Sequence, residues 1–170
     1  MPNFIRKVEQ QEALAAIDLG SNALRAVIAR YDGSVVEIIR NLREPLRLGE
    51  DVFETGSISP EKMEATEEAF IKLLHFFTQY NVTATRALAT SAMRDSSNGP
   101  ELTRRIFEAT GIEIETIKGR EEARLIYEAV KGQVPLRRKT ALLMDIGGGS
   151  TELTIVINEE IVGVQSFNIG

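Results

Sequence analysis

Cysteine and tryptophan are missing from this chain of 170 residues, and histidine occurs once. Without cysteine there is no disulfide, no thiol nucleophile and no zinc site of the Cys/His kind. The single His75 falls in a predicted helix without a chemical partner and reads as a helix-edge residue. Positive charge is in deficit: the formal net charge is −5. That balance excludes a global basic field for nucleic acid, so any polyanion needs a local basic cleft. Long apolar runs are missing as well. No run approaches the roughly 18 residues that span a bilayer, and charges interrupt the N-terminal stretch before a secretory segment can form. A cytoplasmic protein is expected, bound to neither membrane nor nucleic acid. Its chemistry must rest on carboxylates, hydroxyls, arginines and backbone amides.

The remaining composition, 43% hydrophobic and 26% charged, is that of a globular chain long enough for one domain and part of another. Three strands open it: Ala13 to Ile17, Ala23 to Tyr31, and Val35 to Ile39 behind an Asp32-Gly33 hairpin signal. Residues 41–58 carry little periodicity and read as a long connection. Ser59-Pro60-Glu61 starts a helix, whose stripe of Met63, Phe70, Leu73, Leu74 and Phe77 runs to about Tyr80. A strand fits Thr85 to Thr90, then a turn-rich stretch from Ser91 to Asn98, then a helix from Pro100 to Gly111. A short strand at 112–115 precedes a helix from Gly119 to Gly132.

Past a basic stretch the opening pattern returns. Ala141 to Met144 is an apolar strand leading into Asp145-Ile146-Gly147-Gly148-Gly149-Ser150, just as the first strand leads into Asp18-Leu19-Gly20-Ser21-Asn22. Strands at Leu153 to Ile157 and Ile161 to Phe167 follow, joined by a turn at 158–160. The two aspartates lie 127 positions apart. The pattern predicts a domain over 1–132, a linker at 133–139 and the first three strands of a related second domain over 140–170.

A phosphate oxygen requires several donors at close range, and glycine lets backbone amides approach it without a side chain in the way. Gly147 and Gly148 with Ser150 suit such a nest, and Gly20-Ser21-Asn22 is a leaner counterpart. Each turn follows an aspartate, Asp18 or Asp145. A carboxylate beside a phosphate repels it unless a divalent cation lies between them, and magnesium with oxygen ligands meets that need. No Gly-Lys pair occurs, which removes a Walker-type loop, and no dinucleotide fingerprint follows a strand.

Two further residues have two readings each. Glu122 lies in the first turn of its helix and shares a face with Leu125, Ile126, Ala129 and Val130. Burial there raises a carboxylate toward the range of a general base; equally, Glu122 is a helix-dipole acid or a partner of Arg124 or Arg94. Arg94 follows a strand end, where α/β domains bind ligands, and a guanidinium suits phosphate. A lone loop arginine is otherwise merely solvated.

The motifs in order are Ala16-Ile17-Asp18-Leu19-Gly20-Ser21-Asn22, Arg47-Leu48-Gly49-Glu50 with Thr55-Gly56, Ala89-Thr90-Ser91-Ala92-Met93-Arg94-Asp95 with Asn98, Gly119-Arg120-Glu121-Glu122-Ala123-Arg124-Leu125-Ile126, and Asp145 through Leu153. In this set the chain resembles the Ppx/GppA phosphatase family, within the actin-like superfold. The resemblance implies an α/β fold: an actin-like (ribonuclease H-like) domain of mixed sheet and flanking helices, plus the first strands of its repeat. It implies Glu122 as general base, Arg94 as ligand of the terminal phosphate, and Asp145 and Glu152 as holders of Mg²⁺ or another divalent cation. Gly147, Gly148, Ser150, Ser21 and Asn22 would line the phosphates. The chain departs from the family at Ala23-Leu24, where Ser and Phe are usual. The implied substrate is inorganic polyphosphate, with guanosine pentaphosphate the alternative; a homodimer is allowed. An ATP-using enzyme of the same superfold and a phosphate-binding module without activity are the competing classes.

Overall fold

The computed structural model describes residues 12–170; the charged N-terminal stretch judged unlike a secretory signal lies outside the described residues. A five-stranded sheet of order β3-β2-β1-β4-β5 fills the first part of the chain. Strands β1 (Glu12–Leu19), β2 (Ala23–Tyr31) and β3 (Val36–Pro45) form the antiparallel meander, and β4 (Val82–Ala89) and β5 (Ile114–Thr116) add in parallel. This is the mixed α/β sheet expected from the actin-like class. At the β2–β3 hairpin Gly33 takes a φ of 93°, and Asp32 Oδ1 accepts bonds from the Ser34 and Val35 amides at 2.9 and 2.8 Å.

Strand β3 runs further than its sequence pattern suggests. Pairing slips between Ile28 and Ala29, leaving Ile39 as an extra residue on β3. Ile39 and Leu42 therefore both pack on the core although they are three apart, which breaks the period of two that marks a strand. The rest of the expected connection holds α1 (Leu48–Thr55), entered through Arg47 at φ 51° and left through Gly56 at φ 78°. The turn-rich stretch likewise contains a helix, α3 (Ser91–Asp95), only five residues long.

Helix α2 (Pro60–Tyr80) is capped by the Ser59 hydroxyl, which accepts from the Lys62 amide, and it ends at Asn81 in the left-handed region. It packs its Phe70 face, with α4 (Gly99–Thr110), over a core in which Ile28, Leu48, Phe70, Leu102 and Ile106 are fully enclosed. Asn98 ties α4 to the α1–α2 connection: its side chain accepts from the Ile58 amide and donates to the Ile58 carbonyl, at 2.9 and 2.8 Å. His75 sits exposed on α2 with a ring nitrogen 3.3 Å from the Ile71 carbonyl.

A second sheet, β6-β7-β8, is an antiparallel meander of β6 (Thr140–Ile146), β7 (Thr151–Ile157) and β8 (Glu160–Phe167). Helix α5 (Gly119–Lys131) precedes the basic stretch in sequence yet packs on this second sheet. Its buried stripe is Gly119, Ala123 and Tyr127, not the four residues expected: Ala129 is exposed, and Leu125, Ile126 and Val130 are half-buried. Tyr127, with its hydroxyl, stands outside the purely apolar pattern from which the face was expected. Tyr127 joins Leu136 and Val156 in a small core, and its hydroxyl donates to the Glu159 carbonyl at 2.6 Å. Among the described residues no helix is long and apolar enough to cross a membrane.

Candidate active site

Parallel pairing of β1 with β4 and β4 with β5 puts three strand ends on one edge. Asp18 is the penultimate residue of the first, Thr90 follows the second, and α5 with Glu122 follows the third. Against that edge stands the tip of the β6–β7 hairpin, so the two glycine turns meet. Between them lies a cavity of about 260 Å³. One wall is Asp18, Gly20, Ser21 and Asn22; the facing wall is Asp145, Gly147, Gly148 and Ser150, with Glu122 between. The turns are in contact: a Cβ on Gly148 would collide with the Asn22 amide. Any larger residue at 148 would have to push the Asn22 side chain aside.

Strand register fixes the carboxylates. Asp145 lies directly across from Glu152 in the β6–β7 pair, and like charges in such positions repel. Glu122 reaches the same spot from α5, and carboxylate oxygens of all three lie within 4.8 Å of one another. Glu152 is 2% exposed; its Oε1 accepts from the Ser166 hydroxyl at 2.8 Å, and its Oε2 has no partner among the described residues. Glu122 Oε2 is likewise buried and unpartnered. Burial pushes Glu122 up to about 7, reinforced by Glu152, Asp145 and Asp18 and opposed by Arg94. Three crowded carboxylates, two of them with an orphaned oxygen, are unfavourable alone. An all-oxygen donor set with that charge fits a hard divalent cation.

The first hairpin treats its aspartate differently. Asp18 stands across from Arg25, whose guanidinium nitrogen is 3.6 Å from Oδ2. Desolvation nonetheless raises the Asp18 carboxyl, with Arg25 opposing and Asp145 assisting. Asp18 lines the cavity but lies outside the three-carboxylate cluster, with a cation of its own beside it.

Arg94 is placed close enough to Glu122 to stabilise its charge, yet it is not among the residues lining the cavity. Its Nε donates to Asp95 Oδ1 at 3.2 Å and one terminal nitrogen donates to the Ile117 carbonyl at 3.4 Å. Ser21 lines the cavity, with its hydroxyl 2.8 Å from that of Ser91 and accepting from the Ala92 amide at 3.2 Å. Arg25, Thr90 and Ser91 also line the cavity and were not singled out from sequence. Thr90 and Ser91 lie inside the Ala89–Asp95 motif, and Arg25 follows Asp18 by the interval that separates Glu152 from Asp145. That shared interval was the available signal.

Residues 27–170 match the Ppx/GppA phosphatase family. A bifunctional 3-dehydroquinate synthase/phosphatase from Fusobacterium nucleatum is 33% identical over an alignment covering 98% of this chain and 26% of that protein. The crystal structure of an exopolyphosphatase from Cytophaga hutchinsonii superposes with a TM-score of 0.89 at 33% identity, covering 94% of this chain and 51% of the other. A Ppx/GppA family member from Aquifex aeolicus gives a TM-score of 0.81 at 29% identity, covering 94% and 52%. The chain thus spans about half the length of these solved structures and about a quarter of the curated relative. With a matching stretch from β2 to the chain's last residue and a shared fold across nearly all of it, this chain belongs to the Ppx/GppA phosphatase family.

Proposed function

We propose that this chain carries the phosphate-cleaving centre of a phosphoanhydride hydrolase that removes the terminal phosphate of inorganic polyphosphate. The observation that carries the reading is the half-buried Glu122, raised to about 7, facing a cavity walled by two glycine turns. Backbone amides of Gly147 and Gly148 and the Ser150 hydroxyl supply donors for phosphate oxygens, and Ser21 and Asn22 supply them from the other wall. Arg94 binds the terminal phosphate from the edge beside Glu122. Glu122 accepts a proton from a water as the water oxygen forms a bond to the terminal phosphorus. The bridging P–O bond breaks, and the shortened polyphosphate leaves with the electron pair.

Asp145 and Glu152 would hold Mg²⁺ or another divalent cation, with Asp18 contributing from the opposite wall. When bound, that cation offsets the carboxylate charge and polarises the phosphate oxygens. The likeness to an exopolyphosphatase over nearly the whole chain supports polyphosphate as substrate. The test is phosphate release from polyphosphate and from guanosine pentaphosphate by the wild type and Glu122→Gln. Turnover of polyphosphate should fall by about 10²- to 10⁴-fold in the variant while binding persists. Unchanged turnover removes Glu122 from the reaction, and release from the nucleotide alone replaces the substrate.

A further inference from the structure

Each sheet carries a rung of three residues across its meander. In the first sheet the rung reads Asp18, Arg25, Arg43; in the second it reads Asp145, Glu152, Ser166. The first rung sets the Arg25 guanidinium beside its acid. The second sets two acids side by side and ends on a neutral hydroxyl. That hydroxyl is placed with care: Ser166 Oγ donates to Glu152 Oε1 at 2.8 Å, leaving Oε2 as the oxygen without a partner. The first residue of α5 closes over the same spot. A Cβ on Gly119 would lie 2.6 Å from Ser166 Oγ and 3.4 Å from Glu152 Oε1.

We infer that Ser166 is a positioning residue for the cation site: its hydroxyl holds one oxygen of Glu152 and so leaves the other to join Asp145 and Glu122. Gly119 is the spacer that lets α5 approach without displacing that hydroxyl. The inference rests on the proposed cation role of Glu152. An Arg or Lys at 166 would place a cation beside Glu152, as Arg25 does for Asp18; an apolar residue would leave both oxygens free to rotate. A neutral donor orients the carboxylate and keeps its charge.

The test is direct Mn²⁺ binding to the whole chain without substrate, read from the loss of the free-ion electron paramagnetic resonance signal. Thermal melting in EDTA monitors folding separately. Ser166→Ala should weaken Mn²⁺ binding by about 10- to 100-fold, and Ser166→Thr, which retains the hydroxyl, should restore most of it. Gly119→Ala should weaken binding as well, through displacement of Ser166, and serves if Ser166→Ala fails to fold. Wild-type affinity in Ser166→Ala or in Gly119→Ala, with binding lost in Glu152→Gln, overturns the role of Ser166 and leaves the cation site standing. Absence of Mn²⁺ binding in the wild type overturns the cation reading and this inference with it.

Discussion

Two carboxylates across one strand pair, with a third brought in by a helix, make a site held together against its own charge. Removing one acid should therefore help the metal-free chain. Asp145→Asn is expected to raise the melting temperature in EDTA, since an opposed like-charge pair costs roughly 0.2–1 kcal/mol, or about 1–4 °C at this chain length. The same variant should lose the stabilisation that millimolar Mg²⁺ gives the wild type. Calorimetry with and without Mg²⁺ measures both; a lower melting temperature in EDTA would show that Asp145 has a structural partner. At this scale Asp18, Asp145 and the glycine turns were legible in the sequence because their pattern within each hairpin is local, whereas Glu152 and the role of Glu122 came with the family resemblance. Ser166 was not legible: its bond to Glu152 depends on the β7–β8 register, which slips between Ile155 and Val156. The separation of Asp18 from the acid cluster also depended on register, which puts Arg25 opposite it.

Among the elements, α1 was the one the sequence hid most fully. It buries only Leu48, Gly49 and Val52, too few for a helical period to show, and Gly49 is a weak helix former. Its anchorage is polar. Asp51 receives the Lys62 ammonium at 2.7 Å and the Ser59 amide at 3.0 Å, so α1 is bound to the first turn of α2. Those hydrogen bonds lower the Asp51 carboxyl from 3.8 to about 2. A carboxyl lowered on folding contributes stability above its unfolded value, and the contribution is lost as protons bind below it. Melts between pH 5 and pH 2 should therefore show a loss of stability setting in below about 4, and Asp51→Asn should flatten that part of the profile. An unchanged profile would mean that Asp51 is equally paired in the unfolded chain. Longer elements were easier: α2 announced itself by a cap, a proline and a stripe that the core then buried.

For the whole molecule, we propose two units about the basic stretch at 133–139, the first anticipated as 1–132 and the second as 140–170, with α5 attached to the second sheet. Leu136, inside that stretch, is buried with Tyr127 and Val156, so the connection is packed. Tyr127→Ala should cost about 3–5 kcal/mol and act locally. Hydrogen exchange should lose protection in β6, β7, β8 and α5 while β1, β2 and β4 keep theirs. Uniform loss of protection would show a single cooperative unit. Local pattern could not reveal this attachment, because helix and sheet lie on opposite sides of the stretch that reads as a linker.

The contrasting rungs have a consequence for how such a repeat can diverge. With Arg25 the first hairpin has its counter-ion built in; with Glu152 the second must import one. Two positions of the matching rungs, Arg25 against Glu152 and Arg43 against Ser166, separate a half with its own positive charge from a half without one. In the proposed site, dependence on dissolved ions then falls mainly on the second hairpin, while the first keeps Arg25 beside Asp18 as a fixed anvil.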